Sequence, residues 1–191
     1  MRLCYLYIVS ILVKDGVIMD NFVPDMYQKS IYHIDYEKLY ENGIRCLLFD
    51  LDNTCVPFKD KEPNKKLKDL FETLKDMDFK VVIFSNATKK RLVPFKNGLD
   101  VDCSASSKKP NTNKLLQVLK VLGYELSDTA IIGDQLYTDI LCGNRVGIKT
   151  ILVNPMSKDD LLFTKFFRLL EKRKFKKFAK LGILKKGKYY E

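Results

Sequence analysis

An α/β fold, with a central parallel sheet of about five strands covered by helices on both faces, is what this 191-residue sequence predicts. Two observations predict it. From Ile44 onward, short apolar runs rich in Val and Ile alternate with longer segments of helical period, and each run stops at polar or turn-forming residues. The composition, 46% hydrophobic and 30% charged, is that of one globular domain with a sizeable core. Parallel strands need a crossover between them, so strand alternating with helix implies a sheet buried on both faces.

The predicted strands are IRCLLF (44–49), KVVIFS (80–85), a weaker VDCSA (101–105), TAIIG (129–133) and IKTILV (148–153). Each is too short for a buried helix. Between them, NKKLKDLFETLKDM places Leu67, Leu70, Phe71 and Leu74 on one helical face. NKLLQVLKVLG does the same with Leu115, Leu116, Leu119 and Leu122 before a glycine stop. Residues 19–43 are expected to form an N-terminal helical segment, in which Tyr27, Tyr32, Tyr36 and Tyr40 recur at four or five residues as a face packing on the sheet. His33, the single histidine, is read as structural.

In such sheets ligands bind beyond the carboxyl ends of the strands. The first run ends in Asp50 and Asp52, the second in Ser85 and Asn86; the third is followed by Lys109 and Pro110, and the fourth ends in Gly133 and Asp134. Four strands thus deliver polar groups to one rim. Along an extended chain residues i and i+2 point the same way, so Asp50 and Asp52 face one pocket. Two carboxylates that close repel unless a cation lies between them or one holds a proton. With Asp134 as a third hard oxygen donor the set suits Mg²⁺, which borrows one or two carboxylates plus substrate phosphate. Ser85 and Lys109 supply the hydrogen-bonding and positive half that a phosphoryl group needs. A carboxylate could then attack phosphorus, and a second could move the proton.

The motifs DLDNT, SNA, the Lys-Pro at 109–110 and GDQLYTD resemble motifs I to IV of the haloacid dehalogenase (HAD) superfamily of phosphohydrolases, over residues 44–156. The resemblance implies a Rossmann-like three-layer sandwich, with Asp50 as nucleophile, Asp52 as general acid and base, and Ser85 and Lys109 as phosphate ligands. It implies that Asp134 binds Mg²⁺ together with the Asp50 carboxylate and the backbone carbonyl of Asp52. Asp139 would orient Lys109 or a metal-bound water, while Asn86 and Thr54 would shape the loop or face the phosphate. FVPDMYQKSIYHID and GDQLYTDILCGNRVGIKTILVNP are similar to the YqeG family of that superfamily, a branch that includes phosphatidylglycerophosphate phosphatases. This implies a phospholipid precursor as substrate. One departure is Cys55 after DNT, where an aliphatic residue is common; it touches packing more than chemistry. The intervals from Asp52 to Ser85 and from Ser85 to Lys109 are filled by one helix and one strand each, so no cap domain is expected. An open site of that kind suits a phosphomonoester on a large substrate or a surface.

Charge is concentrated at one end. From Ser157 onward there are twelve Lys and Arg against four Asp and Glu, which accounts for most of the net charge of +10. Residues 157–191 are read as a basic amphipathic helix and tail, opening on an N-cap Ser157 and an acidic first turn. At 100° per residue Phe163, Phe166, Phe167 and Leu170 gather on one side, and Lys165, Arg168, Lys172 and Lys176 on the other. Such a helix packs on the domain, lies on an anionic membrane surface, or holds nucleic acid. The five cysteines are odd in number and show no CxxC pair, which excludes a disulfide frame and a zinc site and points to a cytoplasmic protein, with peripheral contact at the inner face of the membrane as a further expectation. The apolar run near the start, about eleven residues, is short of the roughly 18 that span a bilayer. Met19 is expected as the natural start, with residues 1–18 an upstream extension of doubtful translation or a short membrane-contacting segment.

The leading functional reading is therefore a Mg²⁺-dependent phosphomonoester hydrolase working through an aspartyl-phosphate, with phosphatidylglycerophosphate as substrate. A phosphatase for a nucleic-acid end or a phosphoprotein is the alternative enzyme, and an RNA- or ribosome-associated assembly factor retaining the fold is the alternative outside enzymes.

Overall fold

A computed structural model describes residues 12–14, 17–157 and 162–191, with side chains described from 20 to 157 and from 167 onward. In chain order the elements are β1 (Leu12–Lys14), β2 (Val17–Met19), β3 (Met26–Gln28), α1 (Tyr36–Glu41), β4 (Cys46–Phe49), α2 (Lys65–Asp76), β5 (Lys80–Phe84), α3 (Lys89–Leu99), β6 (Asp102–Ser104), α4 (Asn113–Leu122), β7 (Thr129–Gly133), α5 (Leu141–Val146), β8 (Lys149–Val153) and α6 (Leu162–Lys180). Strands β1 and β2 pair with each other, antiparallel. The other six form one sheet in the order β3-β8-β7-β4-β5-β6, parallel throughout.

Strand alternation divides the core. Leu47, Phe49, Val81, Ile83, Ala130 and Ile132 face a cluster closed by Leu67, Phe71 and Leu74 of α2 and Leu92, Phe95 and Leu99 of α3. Cys46, Leu48, Val82, Phe84 and Ile131 face the opposite side, against Leu115 and Leu119 of α4 and Cys142 of α5. The helices begin where their caps dictate: Asn64 Oδ1 accepts from Leu67 N at 2.9 Å, and α4 ends at Gly123 in the left-handed conformation. The four cysteines among the described residues are free thiols, and Cys55 is fully buried.

The sheet has a sixth strand, β3, inside the stretch expected to be helical. Tyr27 lies on that strand, Tyr32 in a 3₁₀ turn (Ile31–His33), and only Tyr36 and Tyr40 share a helix, where both rings meet Phe79 edge-on. The tyrosine spacing reflects three different elements. His33 is exposed, and its Nδ1 lies 2.8 Å from Ser30 Oγ in the same turn.

The chain returns to the β3 edge at its other end. Tyr27 and Tyr190 exchange both main-chain hydrogen bonds, at 2.9 and 3.0 Å, which shields an otherwise open sheet edge. Phe178 and Leu184 pack there on Tyr27, Leu136, Ile140 and Leu152. The Lys174 ammonium pairs with Asp20 at 3.0 Å. The C-terminal helix is thus docked, as one of the three sequence readings held. The N-cap and acidic first turn expected for it fall at the edge of the undescribed residues 158–161, and the Phe163, Lys165 and Phe166 side chains also lie outside the described residues. The Ser157 hydroxyl donates to Asn53 Oδ1 at 2.7 Å. Residues 1–11 and 15–16 lie outside the description too, so the reading of residues 1–18 has no structural counterpart beyond the backbone of β1 and β2. Among the described residues no helix is long and apolar enough to cross a membrane.

Candidate active site

The central strand β4 lies between β7 and β5, so its carboxyl end is flanked by the ends of both. Asp50 continues the β4 ladder, its N–H donating to Ile132 O at 2.9 Å, and this places its carboxylate beside residues that follow β7. Directly after Asp52 the chain reverses: Asn53 takes a left-handed conformation (φ 67°), which asparagine tolerates, and its N–H donates to Val56 O at 2.7 Å.

Carboxylate oxygens of Asp50, Asp134 and Asp139 all lie within 4.8 Å of one another, and all three residues are buried. Lys109 neutralises part of this charge. Its ammonium bridges Asp50 at 2.7 Å and Asp139 at 2.6 Å, and donates to Phe84 O at 2.8 Å. Asp139 can approach because residue 133 is glycine: a Cβ there would lie 2.2 Å from the Asp139 Cγ. Asp139 is also held by Gln135 N, which donates to its Oδ2 at 3.1 Å. The Thr54 hydroxyl donates to Asp134 Oδ1 at 3.1 Å, so this side chain meets the acidic cluster directly.

Asp52 is turned elsewhere. Its Oδ1 accepts from Arg91 Nε at 3.0 Å and from Nη2 at 2.7 Å. Arg91 stands at the start of α3 and also donates to the Asp60 carbonyl. Of the residues named as metal-binding from the sequence, the Asp50 and Asp134 carboxylates are brought together with that of Asp139, and the Asp52 carboxylate is not among them. Asn86 is held to the main chain at Lys109: its Oδ1 accepts from Lys109 N at 2.7 Å and its Nδ2 donates to Lys109 O at 3.1 Å. Its carboxamide locks the end of β5 to the main chain at Lys109, and so shapes the loop. Ser85 is buried, with its hydroxyl accepting from Ala87 N at 3.2 Å.

Two side chains of α6 complete the surroundings. Arg168, expected on the outer basic face, reaches inward: Nη1 donates to Asp134 O at 2.7 Å and Nη2 pairs with Asp134 Oδ2. Glu171 accepts from Arg168 Nη1 at 3.1 Å and from Leu136 N at 2.6 Å. A signal was present, since Glu171 is the single acidic residue between Asp160 and Glu191 in a strongly basic run. Arg91 carried no comparable mark, being one of three cations in KKR.

The electrostatics follow from burial and crowding. Burial, joined by the charges of Asp50 and Asp139, pushes the Asp134 carboxyl well above the usual carboxylate range despite Arg168. Burial raises Asp139 likewise, with Lys109 opposing it. Asp52 is raised by burial and by Asp50, against the hydrogen bond from Arg91. Burial works against the Lys109 ammonium, yet Asp139 and Asp50 outweigh it and hold its pKa above the ordinary lysine value. Hard oxygen donors that repel one another in a buried cluster fit a divalent cation such as Mg²⁺, whose charge would relieve the repulsion. No inserted domain covers this rim: only α2 and β5 lie between Asp52 and Ser85, and only α3 and β6 between Ser85 and Lys109.

The chain is similar to several known proteins. The HAD-hydrolase-like family model matches residues 107–160. "Probable phosphatase YqeG" of Bacillus subtilis (strain 168) is 36% identical over 152 residues, covering 80% of this chain and 88% of that protein. "Phosphatidylglycerophosphate phosphatase 1, chloroplastic/mitochondrial" of Arabidopsis thaliana is 27% identical over 187 residues, covering 92% of this chain but only 52% of that protein. Among solved structures, an uncharacterised protein from Listeria monocytogenes serotype 4b aligns with a TM-score of 0.49 at 18% identity, covering 62% of this chain and 86% of that one.

Proposed function

Because the chain belongs to the YqeG-like phosphatases of the HAD superfamily, we propose that it hydrolyses a phosphomonoester through an aspartyl-phosphate formed on Asp50, with Mg²⁺ held at the acidic cluster. The observation that carries this reading is the Asp50, Asp134 and Asp139 cluster bridged by Lys109 at the carboxyl end of the central strand. Asp50 and Asp134, with the Asp52 main-chain carbonyl, would hold the ion, and Asp139 would orient Lys109 beside it. A Mg²⁺ ion held there would neutralise charge on the phosphoryl group and draw electron density from its oxygens.

The residues of the chain do the rest. An Asp50 carboxylate oxygen attacks phosphorus as the bond to the leaving oxygen breaks. Asp52 gives its proton to that oxygen, a task favoured by its raised pKa. The same carboxylate then removes a proton from water, whose oxygen attacks phosphorus, frees inorganic phosphate and restores Asp50. Lys109 and Ser85 hold phosphoryl oxygens throughout, and Lys109 stands 2.7 Å from the attacking carboxylate. The second acid, Asp52, is paired with Arg91 and is more exposed than Asp50, Asp134 or Asp139, so the leaving alcohol would depart on that side.

The substrate proposed is phosphatidylglycerophosphate. Support comes from the likeness to the plant protein named above, of which this chain spans about half, and from the lack of any inserted domain between Asp52 and Lys109, which suits a headgroup presented at a membrane surface. The test is release of inorganic phosphate from this lipid in mixed micelles with Mg²⁺, with Asp50→Asn as control. Release that disappears in the variant supports both mechanism and substrate. Hydrolysis confined to an aryl phosphate and lost in the variant would keep the mechanism and discard the lipid, turning attention to nucleic-acid ends and phosphoproteins. Salt-sensitive RNA binding that survives Asp50→Asn, without turnover of any ester, would overturn the enzyme reading.

A further inference from the structure

We infer that Arg168 of the C-terminal helix is a positioning residue for the metal site, fixing the Asp134 carboxylate and the loop that carries it. The inference rests on the proposed reading of Asp134 as a metal ligand.

Three contacts tie α6 to the segment that follows β7. Arg168 donates to the Asp134 carbonyl at 2.7 Å and pairs with Oδ2 of the same residue. Glu171 then grips both partners of that junction, accepting from Arg168 at 3.1 Å and from Leu136 N at 2.6 Å. Asp134 and Glu171 are 3% and 5% exposed, so these charges have been taken almost wholly out of water. Burying ion pairs costs desolvation and seldom adds net stability. Nor is the network needed to fasten the helix, because Phe178 already packs on Leu136, Ile140 and Tyr27, and Lys174 pairs with Asp20. What the network does achieve is orientation. With Thr54 on Oδ1 and Arg168 on Oδ2 and on the carbonyl, the Asp134 side chain has one available direction. Carboxylates that bind metals depend on such outer partners, whose loss typically lowers metal affinity about 10- to 100-fold.

The opposite role is physically distinct. A guanidinium paired with Asp134 could compete with the ion, in which case removing it would tighten metal binding. The sign of the change separates the two.

The experiment is Mn²⁺ binding to the full chain, followed by titration calorimetry and by electron paramagnetic resonance, with melting temperatures recorded without metal. Arg168→Gln is expected to weaken Mn²⁺ binding about 10- to 100-fold. Arg168→Lys, which keeps the charge but cannot reach the carbonyl and Oδ2 together, is expected to fall between it and the parent, and it serves alone if the Gln variant does not fold. Lys174→Ala loosens the helix through Asp20 without touching Asp134, so its affinity should match the parent even where its melting temperature falls. Unchanged or tighter binding in both Arg168 variants would overturn the inference. Equal weakening in Lys174→Ala would also overturn it, by reducing the effect to helix docking. Asp134→Asn separates this from the reading it rests on: retained Mn²⁺ affinity there removes the proposed metal site itself, whereas lost affinity there with full affinity in Arg168→Gln removes the present inference alone.

Discussion

Replacing Lys109 with methionine keeps an unbranched side chain one atom shorter and deletes its charge. In the parent the Lys109 side chain is 1% exposed, and its ammonium sits 2.7 Å from Asp50 and 2.6 Å from Asp139. Its loss leaves buried carboxylates facing one another without a counter-charge. Removing one partner of a buried pair costs about 3–5 kcal/mol. For a domain of this size each kcal/mol lowers the melting temperature by about 2–4 °C, so the variant should melt roughly 6–20 °C below the parent in metal-free buffer. The deficit should also depend on pH, with a sign that can be worked out. Lys109 lowers the Asp139 pKa, which burial already raises, so without the lysine the folded-state value climbs further. A carboxyl whose folded pKa exceeds its unfolded value adds stability that is fully present below the unfolded pKa and is lost as pH rises through the folded one. The gap between variant and parent should therefore be smaller near about pH 4 than near about pH 8. Calorimetric melting of both proteins across that range is the assay, alongside phosphate release, which should vanish. A melting temperature within about 2 °C of the parent at alkaline pH, or a gap independent of pH, would refute the reasoning.

Two further predictions follow from the same geometry. Arg91→Gln removes the group that lowers the Asp52 pKa, so the pKa should rise further; since Asp52 must be protonated to release the alcohol, the high-pH fall in phosphate release should move to higher pH, and a limb that stays or moves down would count against Asp52 as the acid. Gly133→Ala brings a Cβ within 2.2 Å of Asp139 Cγ and should displace that side chain from Lys109. Overpacking of this kind costs about 1–3 kcal/mol, visible as a melting shift with loss of turnover, while an intact and active variant would show that the approach is not needed.

The β4, β5, β7 and β8 strands are readable from the sequence because each is a dense apolar run that stops at a polar residue, and the ends of β4, β5 and β7 set Asp50, Ser85 and Asp134 on one rim. Strand β3 is not, since Met26, Tyr27 and Gln28 carry no alternation and tyrosines at intervals of four or five mimic a helix face. Its identity depends on β8, which lies far along the chain. The site residues divide in the same way. Asp50 and Asp52 announce themselves as neighbours in an apolar run, but the turn after Asp52 sends that carboxylate to Arg91, a contact decided by helix placement. Asp139 was legible as a partner of Lys109, but its membership of the acidic cluster depends on a close approach over Gly133. For Arg168, helical periodicity indicates a face and not what that face meets, so a residue placed among solvated lysines proves to be partly buried and paired with Asp134.

Pairing at the edge of the sheet bears on the order in which the molecule can be completed during synthesis. Strand β3 emerges early from the ribosome, yet its neighbours are β8 and Tyr190. The four inner strands, β5, β4, β7 and β8, and the helices that cover them can assemble while β3 still waits, because contacts distant in sequence close last. The Arg168 contact with Asp134 belongs to the same late step. Growth of the chain thus sets an order: all three residues of the acidic cluster have been synthesised once Asp139 has emerged, and the outer support follows only with the C-terminal helix.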